Sequence, residues 1–143
     1  MKDDIGFSFQ GAGMYADNFY NQFYLDENGE YHSDEYPAIR YAEGGEVWMR
    51  HGKVHRDGDL PAITDAEGNQ AWYRDGQFHR EGQPAVIYTD GKPPEWWENG
   101  RRMSQAEVDE IHRKVMEKQG REVAESMRTA RPVKAPKTAK FPQ

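Results

Sequence analysis

At 143 residues, with a formal net charge of −6, the chain holds one domain's worth of material, and a hydrophobic content of 36% excludes a thick globular core. Aromatic residues reach 13%, a balance that suits a thin, half-exposed sheet in which flat rings supply most of the buried area. The absence of cysteine excludes disulfides and thiolate metal sites, and no apolar run has the length of a membrane span or of a secretory leader, so a cytoplasmic protein is expected.

The charge runs as a gradient along the chain. Residues 1 to 48 carry ten Asp or Glu against Lys2 and Arg40, which predicts a surface that repels nucleic acid. From there several residue types recur in step. Glycines stand at Gly29, Gly52, Gly76 and Gly100, histidines at His32, His55 and His79, and Pro-Ala pairs at Pro37, Pro61 and Pro84. A second glycine recurs at Gly45, Gly68 and Gly91, and aromatics at Tyr24, Trp48, Trp72 and Trp96, always with a spacing of 23 or 24 residues. One period shared by several residue types is the signature of an internal repeat. The clearest units are 29–51, 52–75 and 76–100, within an array that spans 1–103.

Each unit reads as a pair of strands. In the last, "PAVIY" (Pro84 to Tyr88) and "PEWWENG" (Pro94 to Gly100) flank the turn around Asp90-Gly91, with Gly44-Gly45 and Gly68 marking the earlier turns. The segment "HREGQ" (His79 to Gln83) then returns the chain to the next strand. The expected fold is mainly β with a C-terminal helix: a meandering antiparallel sheet that grows by one hairpin per repeat.

These units resemble MORN-type repeats, in the longer variant carrying the phrase G-x-x-H-R-x-G-x-P-A that is found in bacteriophages, large DNA viruses and some bacterial proteins; Gly76, His79, Arg80, Gly82, Pro84 and Ala85 carry it here. "GAGMYADNFYNQFYLDENGEYH" (Gly11 to His32) is similar to a shorter MORN unit through Gly11, Gly13, Tyr15, Asp17, Tyr20 and Gly29, although Asn18 replaces a usual Gly and Ser33 replaces the Arg after His32. The resemblance covers Gly11 to Arg102. It implies a repeat scaffold, and it implies no single activity, since such arrays serve as scaffolds, membrane-proximal adaptors and toxin-neutralising partners.

At Met103, where a histidine is due, the array ends. "SQAE" (Ser104 to Glu107) is a capping-box signature, and Val108, Ile111, Val115, Val123 and Met127 then fall mostly on one face of a helix over 104–128. Gly120 weakens its middle, which predicts a kink or a break. The helix reads as a cap on the last hairpin, with a homo-oligomerisation helix as the rival. The remaining segment, 129–143, is basic and Pro-rich, with Arg131, Lys134, Lys137 and Lys140 and no acid. It reads as a flexible tail that touches a neighbour, or nucleic acid weakly through phosphates.

No catalytic motif is present, and neither metal nor cofactor is expected. Equivalent residues in successive hairpins lie roughly 10 Å apart, whereas nitrogen ligands of one zinc ion sit within about 4 Å of each other, so His32, His55 and His79 are expected to fix their own turns by bonding backbone. His51 and His112 stand outside the series without evident partners. Asp57, Asp75, Glu81 and Asp90 sit beside turn glycines, where carboxylates are solvated or bond local amides. Trp48, Trp72 and Trp96, with Gly52, Gly76 and Gly100, read as structural repeat positions. The neighbouring Met49, Tyr73 and Trp97, predicted on the opposite face, join Asp34, Glu35, Glu43 and Glu46 as candidates for partner contact. The expected function is a non-enzymatic protein–protein interaction module, phage-encoded, that inhibits or recruits a host protein such as a defence effector. The alternatives are a virion structural component whose tail docks on a neighbour and, last, a hydrolase or nucleotide-binding protein.

Overall fold

The computed structural model describes residues 9–133. It divides into two units, Met1–Ser104 and Gln105–Gln143; among the described residues the first is antiparallel β without a closed barrel and the second holds one helix. In chain order the strands are β1 (Gly13–Ala16), β2 (Gln22–Leu25), β3 (Ile39–Arg40), β4 (Glu46–Val47), β5 (Met49–Arg50), β6 (Lys53–Val54), β7 (Ile63–Thr64), β8 (Gln70–Ala71), β9 (Tyr73–Arg74), β10 (Gln77–Phe78), β11 (Val86–Ile87), β12 (Trp97–Glu98) and β13 (Arg101–Arg102). The helix α1 spans Gln105–Thr129.

Seven strands make the main sheet, in the order β1-β2-β3-β4-β7-β8-β11. Its register places Tyr15, Phe23, Ile39, Val47, Ile63, Ala71 and Val86 opposite one another in one unbroken row. Side chains directly across strands pack against each other, so this row runs across the sheet, half-buried except for the buried Val86. Beside it lie the alanines of the Pro-Ala pairs, Ala38, Ala62 and Ala85, each with no exposed surface at all. Their carbonyls accept from the amides of Tyr24, Trp48 and Trp72 at 2.7 Å.

A repeat contains two hairpins, not the one that the residue pattern suggests. After β4 the chain leaves the main sheet at Trp48 and forms a second, two-stranded ladder, β5 with β6; β9 with β10 and β12 with β13 repeat the move. The second hairpins turn on His51-Gly52, Asp75-Gly76 and Asn99-Gly100, with positive φ at both residues of every pair (43° and 80°, 49° and 84°, 49° and 78°). Two-residue loops of this kind are type I′ turns, whose twist matches that of the strands they join. The recurring Gly52, Gly76 and Gly100 are thus the second residues of hairpin turns.

The first hairpins at Asp17 to Asn21, Tyr41 to Gly45 and Asp65 to Asn69, and the earliest second hairpin at Asp26 to Glu30, use a longer loop closed by an amide-to-carbonyl bond between its first and fifth residues. The fourth residue takes the left-handed conformation, at Tyr20, Gly29, Gly44 and Gly68. The equivalent of Gly68 is therefore Gly44 rather than Gly45. Where Asp opens the loop its Oδ1 accepts the amides two and four residues on, as at Asp17, Asp26 and Asp65.

Gly120 does not break α1, which runs through it. Val108 is its one buried residue and Ile111 is half-buried, while Val115, Met116, Val123 and Met127 are exposed. Among the described residues no helix is long and apolar enough to cross a membrane.

A candidate interaction face

The second hairpins and the loops that follow them enclose two successive grooves built from equivalent residues. One, of about 290 Å³, lies among Asp34, Glu35, Trp48, Met49, His55 and Leu60. The next, of about 390 Å³, lies among Asp57, Asp59, Trp72, Tyr73, His79 and Glu81. His55, Arg56 and Asp57 line both and form the wall between them.

Each histidine of the series holds a turn, though not its own. His32 Nδ1 accepts from the His51 amide at 3.0 Å, His55 Nδ1 from the Asp75 amide at 3.1 Å, and His79 Nδ1 from the Asn99 amide at 3.0 Å. The bond crosses to the next type I′ turn because the second hairpins stack side by side, which brings each turn over the preceding loop. An imidazole nitrogen that accepts leaves the proton on the other. His55 Nε2 accordingly donates to Asp57 at 2.8 Å. The Asp57 carboxyl is held below the usual carboxylate range by that bond and by Arg50.

His51 also has partners, against expectation: its ring stacks on His32 with centroids 3.9 Å apart, and its Nδ1 lies 2.7 Å from Asp26. Asp26 is buried, and its carboxyl is held low first by His51 and then by the amides of Glu30 and Asn28. His112 likewise is engaged. Asp75 and Glu81 are solvent-exposed, as expected, and lie 3.4 Å from His55 and 3.2 Å from Arg74, and Asp90 accepts the Lys92 amide.

The arginines that follow His55 and His79 are site residues that the sequence pattern did not single out. Arg56 lies over the Trp48 ring at 3.9 Å and Arg80 over the Trp72 ring at 3.8 Å. Each also donates to the carbonyl of the proline that opens the next strand, Pro61 and Pro84, at 3.1 Å. Arg80 further grips Asp59 with two bonds, at 2.7 and 3.1 Å. The repeated His-Arg pair was the available signal, since an arginine held in register with a tryptophan 8 residues earlier points to a stack.

The predicted contact residues separate in the structure. Asp34, Glu35 and Met49 come together in the first groove and Tyr73 lines the second. Tyr73 and Trp97 do not form an open face: both are half-buried and sandwich Phe78, with ring centroids 4.5 and 5.0 Å away. Burial pushes the Tyr73 phenol up from its ordinary value. Glu43 is exposed on a main-sheet loop, and Glu46 accepts from the Trp48 indole at 3.4 Å. Trp72 is buried, while Trp48 and Trp96 are half-buried. Arg131 is exposed, and Lys134, Lys137 and Lys140 lie outside the described residues.

Two buried donors in the second groove lack partners, Trp72 Nε1 and His79 Nε2. Gln70 stands where Glu46 receives the Trp48 indole, and Glu81, a methylene longer than Asp57, leaves its Oε1 3.7 Å from His79 Nε2. Among the described residues no group of three or more His, Asp or Glu is placed to hold a metal ion. In comparisons with family models, with curated proteins and with solved structures, nothing matches this chain.

Proposed function

We propose that this protein is a non-enzymatic MORN-like repeat module, phage-encoded and acting in the host cytoplasm, that grips a host protein in its row of grooves and inhibits or recruits it. The observation that supports this reading is the second groove, where two buried donors, Trp72 Nε1 and His79 Nε2, have no acceptor of their own. A buried donor left unpaired costs about 1–3 kcal/mol, and a partner's acceptor that enters as the groove wall opens removes that penalty. The exposed rims favour a protein surface as the bearer, because Leu60 is 50% exposed and sits close to the acids Asp34, Glu35 and Asp57. An apolar anchor ringed by charge is the composition of a protein–protein contact.

The test is site-specific photocrosslinking in the bacterial host. A crosslinker at Leu60 or Glu35 is expected to capture one stoichiometric host protein, and salt should weaken the complex, while a crosslinker at Glu67, on a main-sheet loop, captures none. Equal capture at all three positions, or capture of viral structural proteins alone, would overturn the reading. The latter outcome is the mark of the alternative, a virion assembly component, which the exposed side chains of α1 favour.

A further inference from the structure

His79 is buried with one ring nitrogen unused. Its Nδ1 accepts the Asn99 amide at 3.0 Å, which puts the ring proton on Nε2, and the side chain is only 6% exposed. That Nε2 has no partner. The preceding unit shows a filled counterpart: His55 Nε2 gives its proton to Asp57 at 2.8 Å, while the other oxygen of the same carboxylate takes Arg50. The second groove holds His79, Arg74 and Glu81 in a different arrangement. Glu81 Oε1 lies 3.2 Å from Arg74 and 3.7 Å from His79 Nε2, so its carboxylate serves the arginine alone.

Charge decides what can use the free donor. The ionic groups lining the groove are already engaged: Arg80 holds Asp59 at two points, Arg74 holds Glu81, and Asp57 is held by Arg50 and His55. Arg56 lies over Trp48 and donates to the Pro61 carbonyl, with the Glu46 carboxylate offsetting its charge. An incoming carboxylate or phosphate would meet three acids and no cation free to receive it. A neutral acceptor breaks no pair. Trp72 Nε1, the other unused donor of the groove, is itself neutral and sets the same requirement.

We propose that the second groove takes an amide carbonyl of a protein partner on His79 Nε2, and that the Arg74–Glu81 pair is the wall that gives way to admit it. The two side chains are 51% and 74% exposed, and a surface pair of this kind holds weakly. An amide carbonyl accepts strongly without carrying charge, and the main chain of a protein presents one at every residue. The inference rests on the groove reading for its bearer and adds the chemical group that the bearer presents.

Nuclear magnetic resonance of the full chain, labelled with 15N at histidine, tests it with N-methylacetamide as the probe and sodium acetate as the charged comparison. The His79 ring signals are expected to shift progressively with the amide and to stay in place with acetate. His55, whose Nε2 is taken, is the control within the same molecule and should respond to neither. Glu81→Asp gives the carboxylate the length that meets the ring at His55, and it should abolish the His79 response. Unmoved His79 signals with the amide, an equal shift with acetate, or an undiminished response in Glu81→Asp would each overturn the proposal. No host protein enters this test, so its failure is distinguishable from an empty crosslinking experiment, which overturns the groove reading instead.

Discussion

Tyr20 occupies the fourth position of a loop whose equivalents are Gly29, Gly44 and Gly68, and it takes a φ of 67° there. A side chain in the left-handed region crowds its own carbonyl, at about 1–2 kcal/mol for a residue that gains nothing in return. Tyr20 gains little, since it is 84% exposed. Replacing it with glycine is expected to stabilise the protein by roughly 1 kcal/mol, offset in part by the greater freedom of glycine in the unfolded chain, and a rise in the urea midpoint checks this. The same change at Tyr24, which stacks on Tyr36 at 5.9 Å, would do the reverse. Identical residues in one short stretch thus carry opposite signs, because one holds a turn against its preference and the other fills space.

The element that distinguishes this array is the second hairpin, with the arginine stack beneath it. Arg80 covers Trp72, donates to the Pro84 carbonyl and holds Asp59 at two points, and its side chain is only 9% exposed. Lysine keeps the charge and loses the flat fork that makes these contacts together. Arg80→Lys is therefore expected to destabilise by roughly 1–3 kcal/mol in urea titration, and Arg56→Lys by less, as the Arg56 contacts are a stack and one carbonyl. The repeat period, the glycines and the helix start were legible in the residues, because each is a local pattern with a local cause. The second hairpins were half legible: Asp75-Gly76 and Asn99-Gly100 are type I′ signatures, yet with only two residues after each turn to form the returning strand they read as links. The histidine bonds were not legible at all. Their partners lie 19 or 20 residues away, and no local spacing reveals them. Likewise the packing of Tyr73 and Trp97 depends on Phe78, which breaks the simple rule of alternate faces.

Over the whole molecule the held carboxylates set the response to acid. Asp17, Asp26, Asp57, Asp59, Asp65 and Asp90 all sit below the usual aspartate value, each through hydrogen bonds to a side chain or an amide in the fold. A carboxyl that is a stronger acid in the folded chain binds its proton later than in the unfolded one. The stability it adds is present above the unfolded value of about 4 and is lost as pH falls through the folded one. The melting temperature should thus hold steady from neutral pH to about 5 and fall steeply below about 4. The check is a series of thermal melts against pH, in which Asp26→Asn flattens the acid limb.

Among the described residues, the side chains that accept from an amide about one period away all take one that comes later in the chain. His32, His55 and His79 accept from amides that come later in the sequence, and the Asn21 and Asn69 side chains do likewise, from Ala42 and Thr89. A ribosome releases the acceptor before it has made the amide that the acceptor will take. Each new turn of the array emerges to find its latch already in place, and the protein can set, unit by unit, in the order in which it is written.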